Sequence, residues 1–206
     1  VTETPQSETT RFYPRSPYGV SKVFSHHMTI NYRESYDLFA CSGILFNHES
    51  PLRGYEFVTK KITRGLTKVK NGSQDCLYLG NLEAKRDWGH AADYVVAMNM
   101  IMNNNKPDDY IVSSETTSTV KDFVDKSLIA LNFDYEWEGE GLEKVVINKL
   151  NNKPIVKIDK KLFRPAEVDL LVGDSSKIKN ELNWKPMYTL DSLIEEMIAF
   201  EINHPN

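Results

Sequence analysis

LFACSGILF, at residues 38–46, is an almost continuous apolar run that ends at Asn47. Such a run between turn-like flanks predicts a strand that is buried on both faces, as strands of a parallel sheet are. Upstream, Ser16 and Pro17 predict a helix start, because serine accepts from free backbone N–H groups and proline fits the first helical position. A helix over residues 17–34 followed by this strand indicates an α/β protein.

The same alternation of helices and strands continues along the chain. Thr119 and Asp122 predict a capping box at one helix start. Apolar residues at helical spacing predict further helices over residues 57–69, 91–102, 123–131, 175–182 and 190–201. Short strands are expected over residues 76–79, 110–112, 134–137, 145–148 and 154–158.

Composition and charge are those of an ordinary globular protein. The 206 residues are 40% hydrophobic and 26% charged, which excludes a disordered chain and a coiled coil. The net charge of −4 shows no basic excess, so neither nucleic acid nor an anionic membrane is predicted as a partner. No apolar run approaches the ~20 residues of a membrane helix, and the opening VTETPQSETT does not resemble a secretory signal. We therefore expect a cytoplasmic protein.

The cysteines and histidines do not predict a metal site. Cys41 and Cys76 lie in apolar surroundings, which favours buried free thiols in a reducing compartment over a disulfide or a metal pair. The five histidines have no spacing typical of metal ligands. We therefore expect no bound metal.

The sharpest chemical pattern is Tyr18-Gly19-Val20-Ser21-Lys22, in the first turns of the predicted helix. Residues four apart lie on one helix face, so Tyr18 and Lys22 are neighbours. A lysine ammonium at that distance favours the phenolate, which can take or return the proton of a sugar hydroxyl while hydride leaves its carbon. The pair also fits an ordinary surface helix. Its position near a strand end, where α/β sheets bind ligands, favours the catalytic interpretation.

Four segments make the sequence recognisable: FYPRSPYGVSK, NYRESYDLFACSGILFNHESP, LGNLEAKRDWGHAADYV and FRPAEVD. They closely resemble the GDP-mannose 4,6-dehydratases, which are extended short-chain dehydrogenases/reductases, and the resemblance runs over essentially the whole chain. NHESP and FRPAEVD are specific to these dehydratases, whereas Y-x-x-x-K and the RDW…DY pattern are shared more widely.

The resemblance implies the C-terminal part of a doubly wound NAD(P)-binding Rossmann domain and a smaller α/β domain that binds a nucleotide sugar. Residues 1–50, with a returning strand near 110–113, would belong to the NADP-binding domain, and residues 51–206 mainly to the substrate domain. Family members carry a Gly-rich turn and a Thr/Ser-x-Glu motif in an N-terminal half, and the sequence contains no G-x-x-G-x-x-G turn. We therefore expect a longer enzyme, of which these residues alone do not turn over GDP-mannose.

The resemblance also implies roles for individual residues. Tyr18 would handle the proton of the mannosyl O4, and Lys22 would stabilise its phenolate and bind the nicotinamide ribose. The expected NADP contacts are Tyr18, Lys22, His48 and Arg53. The expected GDP contacts are Asn47, Lys61, Arg86, Arg164 and Glu167, with Gly80 and Asn81 near the guanine.

The positions implied for GDP suit a diphosphate, which requires convergent cations and is well matched by arginine forks. We therefore expect Arg86 and Arg164 to point into one cleft, with Asn47 and Lys61 on its wall. Without the resemblance, the same charges would be interpreted as solvated surface groups or local ion pairs. Leu52 stands where many relatives have a second arginine, which weakens the case for a phosphate clamp in that loop.

The implied reaction is oxidation of GDP-mannose at C4 by NADP⁺, followed by loss of water across C5 and C6 and return of the hydride to C6. The product is GDP-4-keto-6-deoxy-mannose, a precursor of fucose- and rhamnose-type sugars. Two alternatives stay open: another nucleotide-sugar epimerase or reductase of the superfamily, and a catalytically incomplete fragment that acts only as a binding module. Family members are commonly dimers or tetramers, so a homodimer or homotetramer is expected.

Overall fold

The computed structural model describes residues 3–163 and 170–205. Its helices are α1 (Pro17–Tyr36), α2 (Val58–Lys70), α3 (Ala91–Met102), α4 (Val120–Ala130), α5 (Ser176–Leu182) and α6 (Leu190–Asn203). Its strands are β1 (Ser42–Leu45), β2 (Asn47–Glu49), β3 (Leu77–Leu79), β4 (Lys85–His90), β5 (Asp109–Val112), β6 (Thr117–Thr119), β7 (Tyr135–Glu138), β8 (Val145–Asn148) and β9 (Lys153–Ile158). The α/β class predicted from the sequence is confirmed.

The strands form three small sheets. β1 pairs in parallel with β5, so that Ser42 lies opposite Asp109 and Leu45 opposite Val112. A three-stranded sheet has the order β2-β4-β6. The four-stranded sheet has the order β3-β9-β8-β7, with β3 parallel to β9 and the other neighbours antiparallel.

The chain divides into two compact units. The first comprises residues 1–48, 87–117 and 170–188, and the second comprises residues 49–86, 118–169 and 189–206. The predicted division at residue 50 concerns which part binds cofactor and which binds substrate, and it stays a prediction.

The first unit has its core where α3 and α5 pack near the parallel β1–β5 pair. Trp184 closes this core, and its Nε1 donates to the backbone oxygen of Asp93 at 3.0 Å. The Asp93 carboxylate in turn accepts from the backbone N–H groups of Met187 and Tyr188, each at 3.0 Å. The buried residues of the core are Tyr94, Ala97, Ile101, Tyr110, Val112, Ile178 and Trp184.

The second unit has its core where α2, α4 and α6 pack against one another and α2 contacts β3. Gly65 allows α2 to approach β3 closely, because a Cβ there would lie 2.7 Å from Leu77 Cδ1. Leu77 and Leu79 of β3 point into this core. The helices contribute Ile62, Leu66, Phe123, Leu128, Leu193 and Met197 to it.

Local sequence signals explain where the helices begin. Ser16 accepts from the backbone N–H of Gly19 at 3.0 Å, with Pro17 at the first helical position of α1. Thr119 and Asp122 form the predicted capping box of α4. Helix α1 ends at Tyr36, and the left-handed backbone of the next residue, Asp37 (φ 52°), stops further helical turns.

The prediction of a strand over residues 38–46 that is buried on both faces is wrong in its extent and in its burial, because Gly43 of β1 is exposed and the other residues of that strand are half-buried. Only Ser42–Leu45 forms β1, and Leu38 and Phe39 are 49% and 43% exposed. Ala40 instead donates its backbone N–H to the Leu38 oxygen at 2.8 Å, which is a local turn. The physical reason is that, among the described residues, β1 has the single partner β5, and that strand is only four residues long.

The three strands β2, β4 and β6 are not apparent from the sequence. Their residues read NHE, KRDWGH and TST, which lack the apolar alternation of a half-buried strand. They form because neighbouring backbone groups pair in the folded chain, and this pairing does not depend on side-chain pattern alone.

Arg33 of α1 and Asp109 of β5 form a bidentate ion pair, with Nη1–Oδ1 and Nη2–Oδ2 distances of 3.1 and 2.9 Å. Burial works to raise the pKa of Asp109, but the hydrogen bonds from Arg33 and from the Ser42 N–H hold it below its ordinary value. A carboxyl with a depressed folded pKa stabilises the fold above its unfolded pKa, and this contribution is lost as the pH falls through the folded pKa.

We therefore expect Asp109→Asn to lower the free energy of unfolding by about 1–3 kcal/mol at pH 7. The difference from the unsubstituted protein should shrink as the pH falls below about 4, because the Asp109 carboxyl of the unfolded chain then binds a proton while that of the folded chain, with its lower pKa, is still ionised. Urea unfolding of both proteins at a series of pH values measures this difference in the free energy of unfolding. A penalty that stays constant down to pH 3 would contradict the electrostatic explanation.

Candidate functional site

Tyr18 and Lys22 lie together on α1, as their spacing predicts. The Lys22 Nζ is 5.3 Å from the centroid of the Tyr18 ring. Tyr18 is 71% exposed, so its hydroxyl is accessible on the first turn of the helix. The pair therefore has the proximity and the access that proton transfer to a bound substrate requires.

His48 is held in a defined orientation within the first unit. Its Nδ1 is 2.9 Å from the backbone oxygen of Phe46, and its ring packs on that of Tyr94 at a centroid distance of 4.9 Å. A carbonyl oxygen can only accept, so Nδ1 carries the proton and Nε2 of the neutral ring is an acceptor. Gly89 makes room for this arrangement, because a Cβ there would lie 2.4 Å from Tyr94 Cε2.

Arg53 is part of a compact cluster in the second unit. Its Nε lies 3.0 Å from Oε2 of the buried Glu49, and its guanidinium stacks on the Phe57 ring at 3.5 Å. The same Glu49 oxygen accepts from the Thr59 hydroxyl at 2.5 Å. Burial raises the pKa of Glu49, against the opposing effects of the Thr59 hydrogen bond and the Arg53 charge.

A second buried ion pair, between Lys60 and Glu201, lies beside the same loop. Lys60 Nζ contacts the Glu201 carboxylate and also donates to the backbone oxygen of Pro51 at 2.7 Å. The Phe200 ring lies 4.7 Å from Nζ. Neither Lys60 nor Glu49 is predicted from the sequence as a functional residue. The one available signal was that Lys60 precedes Thr63 by three residues on the buried face of α2.

The remaining residues predicted to bind GDP are distributed over several elements. Asn47 of β2, Lys61 of α2 and Arg86 of β4 are all half-buried. Arg86 Nη1 donates to the backbone oxygen of Lys85 at 2.7 Å. Arg164 and Glu167 lie outside the described residues, so the convergence of Arg86 with Arg164 stays a prediction.

The LGN segment has a clear steric requirement. A Cβ at Gly80 would lie 2.6 Å from the backbone oxygen of Leu162, so a glycine is required for this approach. Asn81 accepts from the backbone N–H of Glu83 at 2.9 Å, which shapes the turn after β3. The contact of these residues with guanine stays a prediction.

Asp87, in the RDW segment of β4, has a structural role in the first unit. Its Oδ1 accepts from the Ser114 N–H at 2.8 Å and from the Ser114 hydroxyl at 2.7 Å. Burial raises the pKa of Asp87, although these hydrogen bonds act in the opposite direction. Asp87 thus ties β4 to the segment that follows β5.

Cys76 is buried and Cys41 half-buried, and both are free thiols. Burial raises the pKa of the Cys76 thiol. Within residues 3–163 and 170–205, no cluster of three His, Cys, Asp or Glu side chains could hold a metal ion. In the same part of the chain, every helix is too short or too polar to cross a membrane.

The α/β fold of this chain is shared with a class of solved structures that hold a nicotinamide cofactor. It superposes on the structure of RMD from Pseudomonas aeruginosa complexed with NADPH, with a TM-score of 0.79 at 17% identity over 98% of this chain and 61% of that one. The dTDP-glucose 4,6-dehydratase of Bacillus anthracis, in complex with NAD, gives a TM-score of 0.78 at 19% identity over 99% of this chain and 58% of that one. At these identities the likeness establishes the fold alone.

Sequence similarity narrows the class to one family. Residues 1–197 match the GDP-mannose 4,6 dehydratase family, and the chain belongs to it. It is 48% identical to the human GDP-mannose 4,6 dehydratase over 98% of this chain and 54% of the relative, and 52% identical to GDP-mannose 4,6 dehydratase 2 of Arabidopsis thaliana over 96% and 48%. The chain thus spans about half the length of these relatives. The resemblance inferred from the sequence is confirmed.

Proposed function

We propose that this chain forms part of a lyase that dehydrates GDP-mannose to GDP-4-keto-6-deoxy-mannose. The observation that carries the proposal is the family match over residues 1–197, a range that includes the Tyr18–Lys22 pair. That pair lies close together on α1, with Tyr18 exposed. The epimerase and reductase alternatives share the fold. They are disfavoured because the relatives at 46–52% identity are named as dehydratases.

Tyr18 and Lys22 carry the first step in this proposal. The Tyr18 phenolate takes the proton from the hydroxyl at C4 of the mannosyl ring, and Lys22 stabilises the phenolate electrostatically. The carbonyl at C4 is retained in the product, and loss of water across C5 and C6 leaves a double bond that regains one hydride at C6 and one proton at C5. The proton taken up by Tyr18 balances the proton added at C5. The chain's own contribution is therefore removal and storage of one proton beside the reacting carbon.

A nicotinamide cofactor fits the residues that the chain provides. Arg53 keeps its Nη1 and Nη2 groups without an acceptor within residues 3–163 and 170–205, and His48 Nε2 is an acceptor suited to a ribose hydroxyl. We propose that Lys22, His48 and Arg53 hold NADP. When bound, the cofactor supplies acceptance and return of a hydride.

The nucleotide sugar is proposed to contact Asn47, Lys61, Arg86, Arg164 and Glu167. Cationic side chains among them suit the diphosphate, and a glutamate suits a ribose diol. Assembly into a homodimer or homotetramer, a cytoplasmic location and a further N-terminal segment stay predictions.

Mass spectrometry of the product tests the proposed function. The intact gene product is incubated with GDP-mannose and NADP⁺, and we expect a product lighter than the substrate by one water, with no net change in NADPH. An epimerase would leave the mass unchanged, and a reductase would consume reduced cofactor. Either of those results, or unchanged GDP-mannose, would overturn the proposal.

A further inference from the structure

Glu49 is a buried carboxylate with two polar neighbours, Thr59 and Arg53. Its side chain is 2% exposed, and its Oε2 faces both the Thr59 hydroxyl at 2.5 Å and Arg53 Nε at 3.0 Å. An isolated carboxylate in such a position is costly unless it is paired and hydrogen-bonded. Here Arg53, four residues along the chain, supplies the opposite charge that offsets this cost.

The Arg53 guanidinium is restrained on one edge and one face. Glu49 Oε2 lies 3.0 Å from Nε as an ion pair, and the centroid of the Phe57 ring lies 3.5 Å from Cζ. The backbone is held as well, because the Arg53 N–H donates to the Ser50 oxygen at 3.0 Å. The side chain of Arg53 is still 23% exposed, so the restrained group is accessible.

The free edge of this guanidinium has a defined chemistry. Over residues 3–163 and 170–205, Nη1 and Nη2 of Arg53 contact no carboxylate or carbonyl oxygen. Two parallel N–H groups in one plane match two oxygens of a phosphate. Fixing the plane beforehand lowers the entropy lost when such an anion binds.

We propose that Glu49 is a positioning residue that holds Arg53 so that its Nη1–Nη2 edge receives a phosphate group of a bound nucleotide. This inference rests on the proposed function and goes beyond it, because it assigns a role to a residue that does not itself contact the ligand. The phosphate belongs either to the dinucleotide cofactor or to the nucleotide sugar, and both have the same chemistry at this edge.

A double-mutant cycle on the intact gene product tests the inference. The unsubstituted protein, Glu49→Gln, Arg53→Ala and the double variant are titrated separately with NADPH and with GDP-mannose. We expect Glu49→Gln to lower the affinity for one of the two ligands by about tenfold. Arg53→Ala should lower the affinity for the same ligand by at least as much. In the Arg53→Ala background, Glu49→Gln should add less than about twofold, because its effect passes through Arg53.

Two further variants keep the test decisive. Phe57→Leu removes the aromatic ring beside the Arg53 guanidinium but keeps an apolar side chain, and it should lower the affinity for the same ligand. This variant serves as the test if Glu49→Gln does not fold. Arg64→Ala is the matched control, because its guanidinium lies over the Tyr55 ring at 4.0 Å and no ion pair with a carboxylate is observed for it in the described part of the chain. We expect that control to change neither affinity by more than about twofold.

The outcomes separate this inference from the proposed function. A loss confined to NADPH or to GDP-mannose supports the inference and identifies which phosphate is bound. If Glu49→Gln lowers the affinity by the same factor in the presence of Arg53 and in the Arg53→Ala background, Glu49 acts only through the fold. That result overturns the inference. Unchanged affinities in Glu49→Gln, in a protein that still dehydrates GDP-mannose, overturn the inference alone. If the unsubstituted protein binds neither NADPH nor GDP-mannose, both the inference and the proposed function are overturned.

Discussion

Replacing Tyr18 with phenylalanine should lower the turnover of GDP-mannose by roughly 10²–10⁴-fold in the intact gene product, which is the range for loss of a general acid–base group. Phenylalanine keeps the ring beside Lys22, 5.3 Å from its Nζ, and removes only the hydroxyl. Because Tyr18 is exposed at the start of α1, the fold should be little affected. The assay is the rate of formation of the dehydrated product with NADP⁺ supplied.

A matched control for this substitution lies on the same helix. Tyr32 is also exposed on α1, but the residue four positions later is Tyr36 and not a lysine. We expect Tyr32→Phe to retain near-normal turnover. Near-normal turnover in Tyr18→Phe as well would remove Tyr18 from the proton-transfer role, whereas equal losses in both would indicate a general effect on α1.

Replacing Lys60 with alanine should lower the free energy of unfolding by about 3–5 kcal/mol. Lys60 and Glu201 are both buried, and removal of the ammonium leaves the Glu201 carboxylate without its counter-charge. The backbone oxygen of Pro51 also loses its donor. Urea unfolding at neutral pH measures the loss.

Two comparisons identify the cause of that loss. Lys61→Ala, one residue along α2, removes a half-buried lysine for which no ion pair is observed among the described residues, and we expect a change within about 0.5 kcal/mol. The double variant Lys60→Met/Glu201→Leu replaces the pair by apolar side chains and should recover most of the stability. If the double variant is as unstable as Lys60→Ala, the unpaired carboxylate is not the cause.

Much of the architecture follows from local sequence alone. The predicted helix over residues 91–102 and the predicted strand over residues 145–148 have the observed bounds of α3 and β8. The capping box of Thr119 and Asp122 is present as expected. These signals succeed because they depend on residues within one or two turns of each other.

The proximity of Tyr18 and Lys22 also follows from their spacing within one helix. The motifs around it were sufficient to recognise the family, which the match over residues 1–197 confirms. The cofactor and GDP contacts had no comparable local signal, since they depend on residues that must converge from separate segments. Their assignments remain predictions for that reason.

The extent of β1 was decided by pairing. The apolar run at residues 38–46 is the same whether it lies in a wide sheet or beside one short strand, and the observed partner β5 is four residues long. Local composition reports a preference for burial, but burial itself requires another element to cover the chain.

The sequence by itself determined the α/β class, most element positions, the Tyr18–Lys22 pair and the family. Only the tertiary structure decided that Glu49 and Lys60 are buried, each beside an opposite charge. Glu201 is supplied by α6, far along the chain from Lys60, so no local pattern could reveal their contact. A charged side chain can be buried only where the fold brings a counter-charge to it, and that condition is met by packing between elements and not by sequence spacing.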